Sequence, residues 1–495
     1  MTGATTEGVF DGKFKKNLFY QTLYQILATA FPLITTPYVS RVLGSHNIGT
    51  YTYVATIANY FVVFSMLGIT NYGTKTIAGN KIDSNSLGKA YCGIRKMQCV
   101  ITSIIFALYV CFVVVIIDEN RILYIIESLW ILNCYIDVNW FFFGLEQFEL
   151  TVKRNLIIKL ITLVGLFIFV RTKNDLLMYA FILVISTVLS NVYLMTQVKN
   201  NRFTKVDVSI KDSFSHFKPM MLLFVPILAM TFYHQMDKTM LGIFSTYEEV
   251  GYYGNSDKII NILLGIISGL GTVSLPAIVS LISKGKINEY RNIVEKSVEL
   301  VMMGCSAIAF GMLSISKEFV PVFFGPGFDS CVNLISVLSF VIFFKGITTI
   351  IVNQVLIPNN KEKEYIIAVF IGAGINFFAN IILIQLYGGI GAAIATIIAE
   401  AVVCIIEVVL IRKIIPFALY VRKNVMYVVF GLGMYLAVKI MSPILKFRIF
   451  VNLCLEIVIG GSFFLLCCMI YWKITKSPIY EIFSSKISRF HLNKN

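Results

Sequence analysis

Residues 390–411 read IGAAIATIIAEAVVCIIEVVLI, twenty-two residues whose only charges are Glu400 and Glu407. At about 1.5 Å per residue this helix spans about 30 Å, the thickness of a bilayer's hydrocarbon core. The two glutamates stand seven residues apart, on one helical face. Comparable apolar runs lie at 17–39, 47–70, 97–117, 122–143, 155–170, 176–197, 219–243, 250–282, 297–315, 331–357, 365–386, 424–442 and 449–471. The composition agrees. Of 495 residues 57% are apolar and 14% charged, where soluble domains carry about 45–50% and about 25%. A soluble enzyme is excluded, and the fold class is an all-α polytopic membrane protein of about 14 transmembrane helices.

Even span numbers put both termini on one side, and basic residues choose the side. The surplus of 42 Lys+Arg over 27 Asp+Glu gives +15; in a soluble chain that would point to nucleic acid. Here thirty basic residues fall in the two tails and alternate loops, against seven in the opposite loops. That bias predicts cytoplasmic termini and accounts for the basic surplus with no nucleic-acid partner. The short run at 155–170 relies on Lys159 snorkelling. The ten cysteines form no CxxC pair and lie mostly in apolar runs, so neither a metal site nor a disulfide framework is implied. The first span reads as retained rather than as a cleaved signal.

An internal echo sets the domain plan. Residues 41–51 read RVLGSHNIGTY and 238–252 read KTMLGIFSTYEEVGY. Each places a basic residue before LG, then a polar link, then Ile-Gly or Val-Gly and an aromatic. An offset of six spans predicts two parallel-repeat six-helix lobes around a central cavity, plus two C-terminal helices. The expected boundaries are a cytoplasmic N-tail 1–16, an N-lobe 17–199 with helices 1–6, and a cytoplasmic linker 200–217. A C-lobe 218–411 with helices 7–12, helices 13–14 with their preceding loop at 412–471, and a cytoplasmic tail 472–495 complete the plan. Segments 284–296 and 479–490 have helical spacing of apolar residues among lysines and read as helices on the inner membrane surface.

Mid-span charges cost about 2.5–3.5 kcal/mol on insertion scales, so they face partners or water-filled cavities. Arg41 ends span one; His234, Asp237 and Lys238 lie in span seven. Asp257 and Lys258 lie in span eight, Lys345 in span ten, Asp137 in span four, and Glu400 and Glu407 in span twelve. Span one also carries a polar stripe of Gln21, Gln25, Thr29, Pro32, Thr36 and Ser40. Pro32, Pro37 and Pro226 remove helix hydrogen bonds at matching places in the two repeats, as a gating pair or a static bend would. Arg41, Lys238, Lys258 and Lys345 around a cavity would hold a diphosphate; pairing with acids across helices is the structural alternative. Asp237–Lys238 and Asp257–Lys258 cannot pair well as neighbours, because adjacent residues point about 100° apart. GSHNIGT at 44–50 lacks the lysine and strand of a phosphate loop, and no HExxH, GxSxG or nucleotide-binding domain occurs. Four scattered histidines make no metal constellation. The chain is therefore expected to be no enzyme and to hold no cofactor.

The sequence resembles the Wzx-type polysaccharide flippases of the multidrug/oligosaccharidyl-lipid/polysaccharide exporter superfamily from about residue 15 to 475. Seven stretches carry the resemblance in order: PLITTPYVSRVLGSHNIGTYTY (32–53), DVNWFFFGLEQFE (137–149), DKTMLG (237–242), VGYY (250–253), FFGPGFDSC (323–331), LIPNNKEKEY (356–365) and YGGIGAAIATIIAE (387–400). It implies transfer of an undecaprenyl-diphosphate-linked oligosaccharide from the cytoplasmic to the outer leaflet by alternating access, for capsule, exopolysaccharide or O-antigen assembly. It points to Arg41 and Lys238 as cavity residues, to Lys258 by its place in span eight, and to a lipid-tail groove at spans thirteen and fourteen. Family analogy further implies a monomer beside a polysaccharide polymerase and glycosyltransferases. Reset would use H+ or Na+, with Asp137, Asp237, Asp257, Glu400 and Glu407 as the coupling or cavity acids. The rival readings are an organic-cation exporter of the same superfamily and a non-transporting scaffold. Cations on the protein would repel organic-cation drugs, which tilts the choice to the flippase.

Overall fold

Gly44 adopts φ 77° and ψ 172° inside an otherwise continuous helical stretch, α1 (Gly12–Met66), and Gly388 does the same at φ 54° and ψ −132° inside α15 (Glu362–Ile411). A side chain at either position would be strained, so each glycine supplies the reversal between two apolar runs. The computed structural model describes residues 12–475 apart from 202 and 205, with side chains from residue 30 onward except 270–273.

The chain divides into two compact units, one ending at Gly254 and the other beginning at Asn255. The first holds α1, α2 (Ile69–Asn80), α3 (Ser84–Val115), α4 (Arg121–Asn133), α5 (Asn139–Gly144), α6 (Phe148–Phe169), α7 (Leu176–Gln197), α8 (Ile210–Ser213), α9 (Phe217–Phe244) and the start of α10 (Tyr247–Val273). The second holds the rest of α10, α11 (Leu275–Ser283), α12 (Ile287–Phe323), α13 (Ser330–Leu338), α14 (Val341–Ile350), α15, α16 (Phe417–Lys423), α17 (Met426–Met441) and α18 (Ile449–Thr475). A π-helical turn, Ile351–Leu356, follows α14. The described residues contain no strand, and nine of their helical stretches are long and apolar enough to cross a membrane.

Local chemistry explains the boundaries. Asp83 caps α3, its carboxylate accepting from the backbone N–H of Asn85 (3.2 Å) and Ser86 (3.0 Å). Thr172 and Asp175 form a capping box ahead of α7. The core of the first unit centres on α5, where Trp140, Phe141 and Phe142 are wholly buried. Tyr91 of α3 stacks on Trp140 (centroids 5.8 Å apart) and meets Phe141 edge-on (5.0 Å).

The break expected between the runs at 17–39 and 47–70 lies at Gly44, and α1 and α9 remain helical through Pro32, Pro37 and Pro226. Two local expectations change. Residues 287–296 are the opening turns of α12 and continue into the apolar run, so they form no separate surface helix. Asp137 sits in the turn between α4 and α5 rather than within a span. The expected surface helix at 479–490 lies outside the described residues, as do the side chains of Gln21, Gln25 and Thr29.

Candidate functional site: charges within the helices

In the first unit the two copies of the sequence echo meet. The link after α9 and the turn at Gly44 bring Gly49 against Gly251, and a Cβ on Gly49 would stand 3.0 Å from the Gly251 amide as well as colliding with the Tyr247 carbonyl. A Cβ on Gly251 would strike the Ser45 carbonyl. The Ile-Gly and Val-Gly of the echo are thus a backbone-to-backbone crossing. His46 and Glu248 join beside it, Nδ1 to Oε1 2.6 Å, both substantially exposed. The Glu248 backbone N–H first, and the His46 ring second, hold the Glu248 carboxyl below the usual carboxylate range. Asn47 donates to the Lys173 carbonyl (2.8 Å) and Tyr38 to that of Val170 (2.6 Å), tying the 170–173 segment to the same junction.

Arg41 lies three residues before Gly44 and is exposed. In α9, Asp237 is buried and accepts from the Tyr253 hydroxyl (2.6 Å), while Lys238 beside it is half-buried and His234 exposed. Tyr60 of α1 contacts Thr239 at 3.1 Å, one turn from Gln235, which accepts from Thr56 (3.5 Å). On this polar strip of α9, Gln235 and Thr239 face α1, while Asp237 engages Tyr253 and Lys238 lies beside it in sequence.

In the second unit Asp257 accepts from Asn261 one turn on (2.8 Å), and Lys258 is half-buried next to it. Lys345 of α14 pairs with Glu400 of α15, Nζ to Oε1 3.4 Å, with the glutamate side chain 4% exposed. Glu407 is fully buried, and neither of its carboxylate oxygens has a hydrogen-bond partner among the described residues.

Asp137 organises the α4–α5 turn. Its Oδ1 accepts from the Asn139 backbone N–H (2.9 Å) and side-chain amide (2.8 Å), and its carbonyl from Gln98 (2.9 Å) and Trp140 (3.2 Å). The same turn leads to a residue that pattern-based reading counted only as a loop cation. Arg154 of α6 is 7% exposed and donates to Asn139 (3.0 Å), Asn155 (2.7 Å) and Asn191 (3.3 Å). Asn191 in turn donates to Asn133 (3.1 Å). Nothing in the spacing of these asparagines announced that they converge. A second omission is Glu127, buried in α4; there the signal was plain, a lone carboxylate within ILYIIESLWIL. A groove of about 1080 Å³ beside Arg95, Lys96 and Lys199 of α3 and the end of α7 includes none of the in-span candidates.

Helices of spanning length, buried glycine crossings and charges held inside apolar segments define a polytopic membrane transporter. The chain belongs to the polysaccharide biosynthesis protein family, whose model matches residues 14–282. The model of lipid II flippase MurJ matches residues 155–490. The chain is 22% identical to a putative O-antigen transporter of Escherichia coli (strain K12), over 81% of this chain and 97% of that one. It is 26% identical to a probable low-salt glycan biosynthesis flippase, Agl15, of Haloferax volcanii, over 34% of this chain and 36% of that one. Its fold is that of lipid II flippase MurJ in an inward closed conformation, with TM-score 0.74, 15% identity, and 92% and 99% of the two chains covered. An inward-facing MATE family multidrug transporter of the MOP superfamily shares it at TM-score 0.60 and 12% identity, with 79% and 95% covered. These are flippases and transporters, not enzymes, and the chain is a Wzx-type flippase.

Proposed function

We propose that the chain moves an undecaprenyl-diphosphate-linked oligosaccharide from the cytoplasmic to the outer leaflet by alternating access, for capsule, exopolysaccharide or O-antigen assembly. The observation that carries this reading is the set of basic side chains, Arg41, Lys238, Lys258 and Lys345, within otherwise apolar helices. A diphosphate crossing hydrocarbon needs compensating positive charge, and guanidinium and ammonium groups supply it where water is thinned. The putative O-antigen transporter and the glycan flippase among the relatives support this class of cargo.

In this reading the lobes are 17–199 and 218–411, with the termini in the cytoplasm of a bacterial cell and a polymerase and glycosyltransferases working on either side of the transfer step. The protein acts as a monomer, and H+ or Na+ resets it. Arg41, Lys238 and Lys258 each offer the diphosphate a positive charge, and Lys345 does so once its hold on Glu400 is exchanged for phosphate oxygens. Asp237, engaged by Tyr253, fixes the α9 strip that carries Lys238, and Asp137 fixes the α4–α5 turn. Glu407 and Asp257 remain for coupling.

The test is leaflet transfer of an undecaprenyl-diphosphate oligosaccharide in proteoliposomes, with a membrane-impermeant lectin reading sugar in the outer leaflet. Protein-dependent transfer that organic cations do not inhibit supports the flippase. Organic-cation efflux without lipid transfer overturns it in favour of a drug exporter.

A further inference from the structure

Glu127 stands seventh in α4, about 9 Å along the helix from Arg121 at 1.5 Å per residue. It is 1% exposed, and neither carboxylate oxygen has a hydrogen-bond partner among the described residues. The three helices packed on α4 each turn a phenol toward it: Tyr51 from α1, Tyr109 from α3 and Tyr179 from α7. Tyr51 and Tyr179 touch edge-on with centroids 4.8 Å apart, and Tyr109 spends its hydroxyl on the Tyr124 carbonyl (2.8 Å). Trp130, one turn further along α4, brings a donor near the carboxylate without completing a hydrogen bond to it. No basic side chain faces Glu127 from any of these elements among the described residues.

An ionised carboxylate so enclosed, with no counter-charge and no completed hydrogen bond, costs several kcal/mol. The closed cage therefore admits the neutral acid and excludes the anion. Among the described residues no group of three or more His, Cys, Asp or Glu side chains gathers here to hold a metal ion, and a hard cation takes about six oxygens. The chemistry left is the proton itself.

The position of the cage gives that proton a purpose. Tyr51 lies two residues beyond Gly49, beneath the crossing with Gly251, and Tyr53 packs on Tyr247 (5.6 Å) at the same place. Were the crossing to part, the α1 side of the cage would part from α4 with it and water could enter. We propose that Glu127 is a proton-binding site whose occupancy licenses closure of the end of the first unit at the Gly49–Gly251 crossing. With that end open, the carboxylate takes one proton from hydronium in the adjoining water, leaving water. The neutral acid is then enclosed as the crossing forms, and reopening returns the proton to the same water. Because closure binds a proton, acid in that compartment favours it and alkali opposes it.

In the assay this inference rests on the flippase reading, but one arm does not. Infrared spectra of the purified protein in nanodiscs should show, at neutral pH, the carbonyl stretch of a buried carboxylic acid that Glu127→Gln lacks. Glutamine matches the neutral acid in shape, so that variant should fold; Glu127→Asp, which shifts the band, serves if it does not. No such band at neutral pH overturns the proposal. In proteoliposomes, wild-type transfer of the undecaprenyl-diphosphate oligosaccharide should slow by up to about tenfold per unit as external pH is raised, the limit for a one-proton step. Glu127→Gln should transfer with a shallower dependence, Glu407 and Asp257 keeping any coupling step of their own, and replacing Na+ by choline should not change the difference between the two profiles. A Glu127→Gln profile that follows the wild type, or a dependence set by Na+, overturns the proposal. Absence of all wild-type transfer would count against the flippase and leave the infrared result to decide the proton site.

Discussion

At the scale of single residues, the account turns on which charges hold cargo and which hold structure. Arg41→Ala and Lys258→Ala each remove a charged donor worth about 1.5–3 kcal/mol, so each should lower lipid transfer about tenfold or more while detergent-solubilised protein elutes and melts like the wild type. Lys345 and Glu400 behave differently because they pair at 3.4 Å with the glutamate buried. Either single change, Lys345→Met or Glu400→Gln, should cost about 1–3 kcal/mol in a thermal-melt series, and the double change less than their sum. A strictly additive double variant would show that the pair is not coupled. The His46–Glu248 contact carries a pH signature. A carboxyl held below its ordinary pKa contributes stability that is complete above the unfolded value and fades as pH falls through the lowered one. The thermal midpoint of the wild type should therefore be level through neutral pH and fall off in acid, and Glu248→Gln should flatten that fall.

At the scale of elements, α5 is the keystone of the first unit. Trp140 is wholly buried against Tyr91, and Trp140→Ala should lower stability by about 3–5 kcal/mol, read as an earlier midpoint in thermal unfolding. The apolar runs that placed most helices were legible because a bilayer demands length and apolarity together. The break between the runs at 17–39 and 47–70 was legible too, and Gly44 fills it with a φ of +77° that a bulky residue cannot meet, while the helices stay continuous through Pro32, Pro37 and Pro226. By contrast, the amphipathic lysine-rich stretch at 287–296 has the pattern of a surface helix, and only its continuity with α12 shows otherwise.

At the scale of the whole molecule, the echo at 41–51 and 238–252 was readable as a repeat, yet not as a contact. Periodicity reveals that two segments are alike, and only the fold reveals that their glycines cross. The in-span charges were legible from their cost in hydrocarbon, and the same rule marks Glu127, whose importance came from its unpaired oxygens. The Arg154 network was hidden because its asparagines are distant in sequence and ordinary in loops. The central claim is that lipid transfer proceeds by opening and closing the crossing of the two repeat copies. The most direct measurement joins His46→Cys to Glu248→Cys with a short reducible cross-linker in proteoliposomes, with His46→Cys alone controlling for the native cysteines. Transfer of the undecaprenyl-diphosphate oligosaccharide should stop when the link forms and resume when it is reduced. Transfer that continues at the unlinked rate across the closed link would contradict the account.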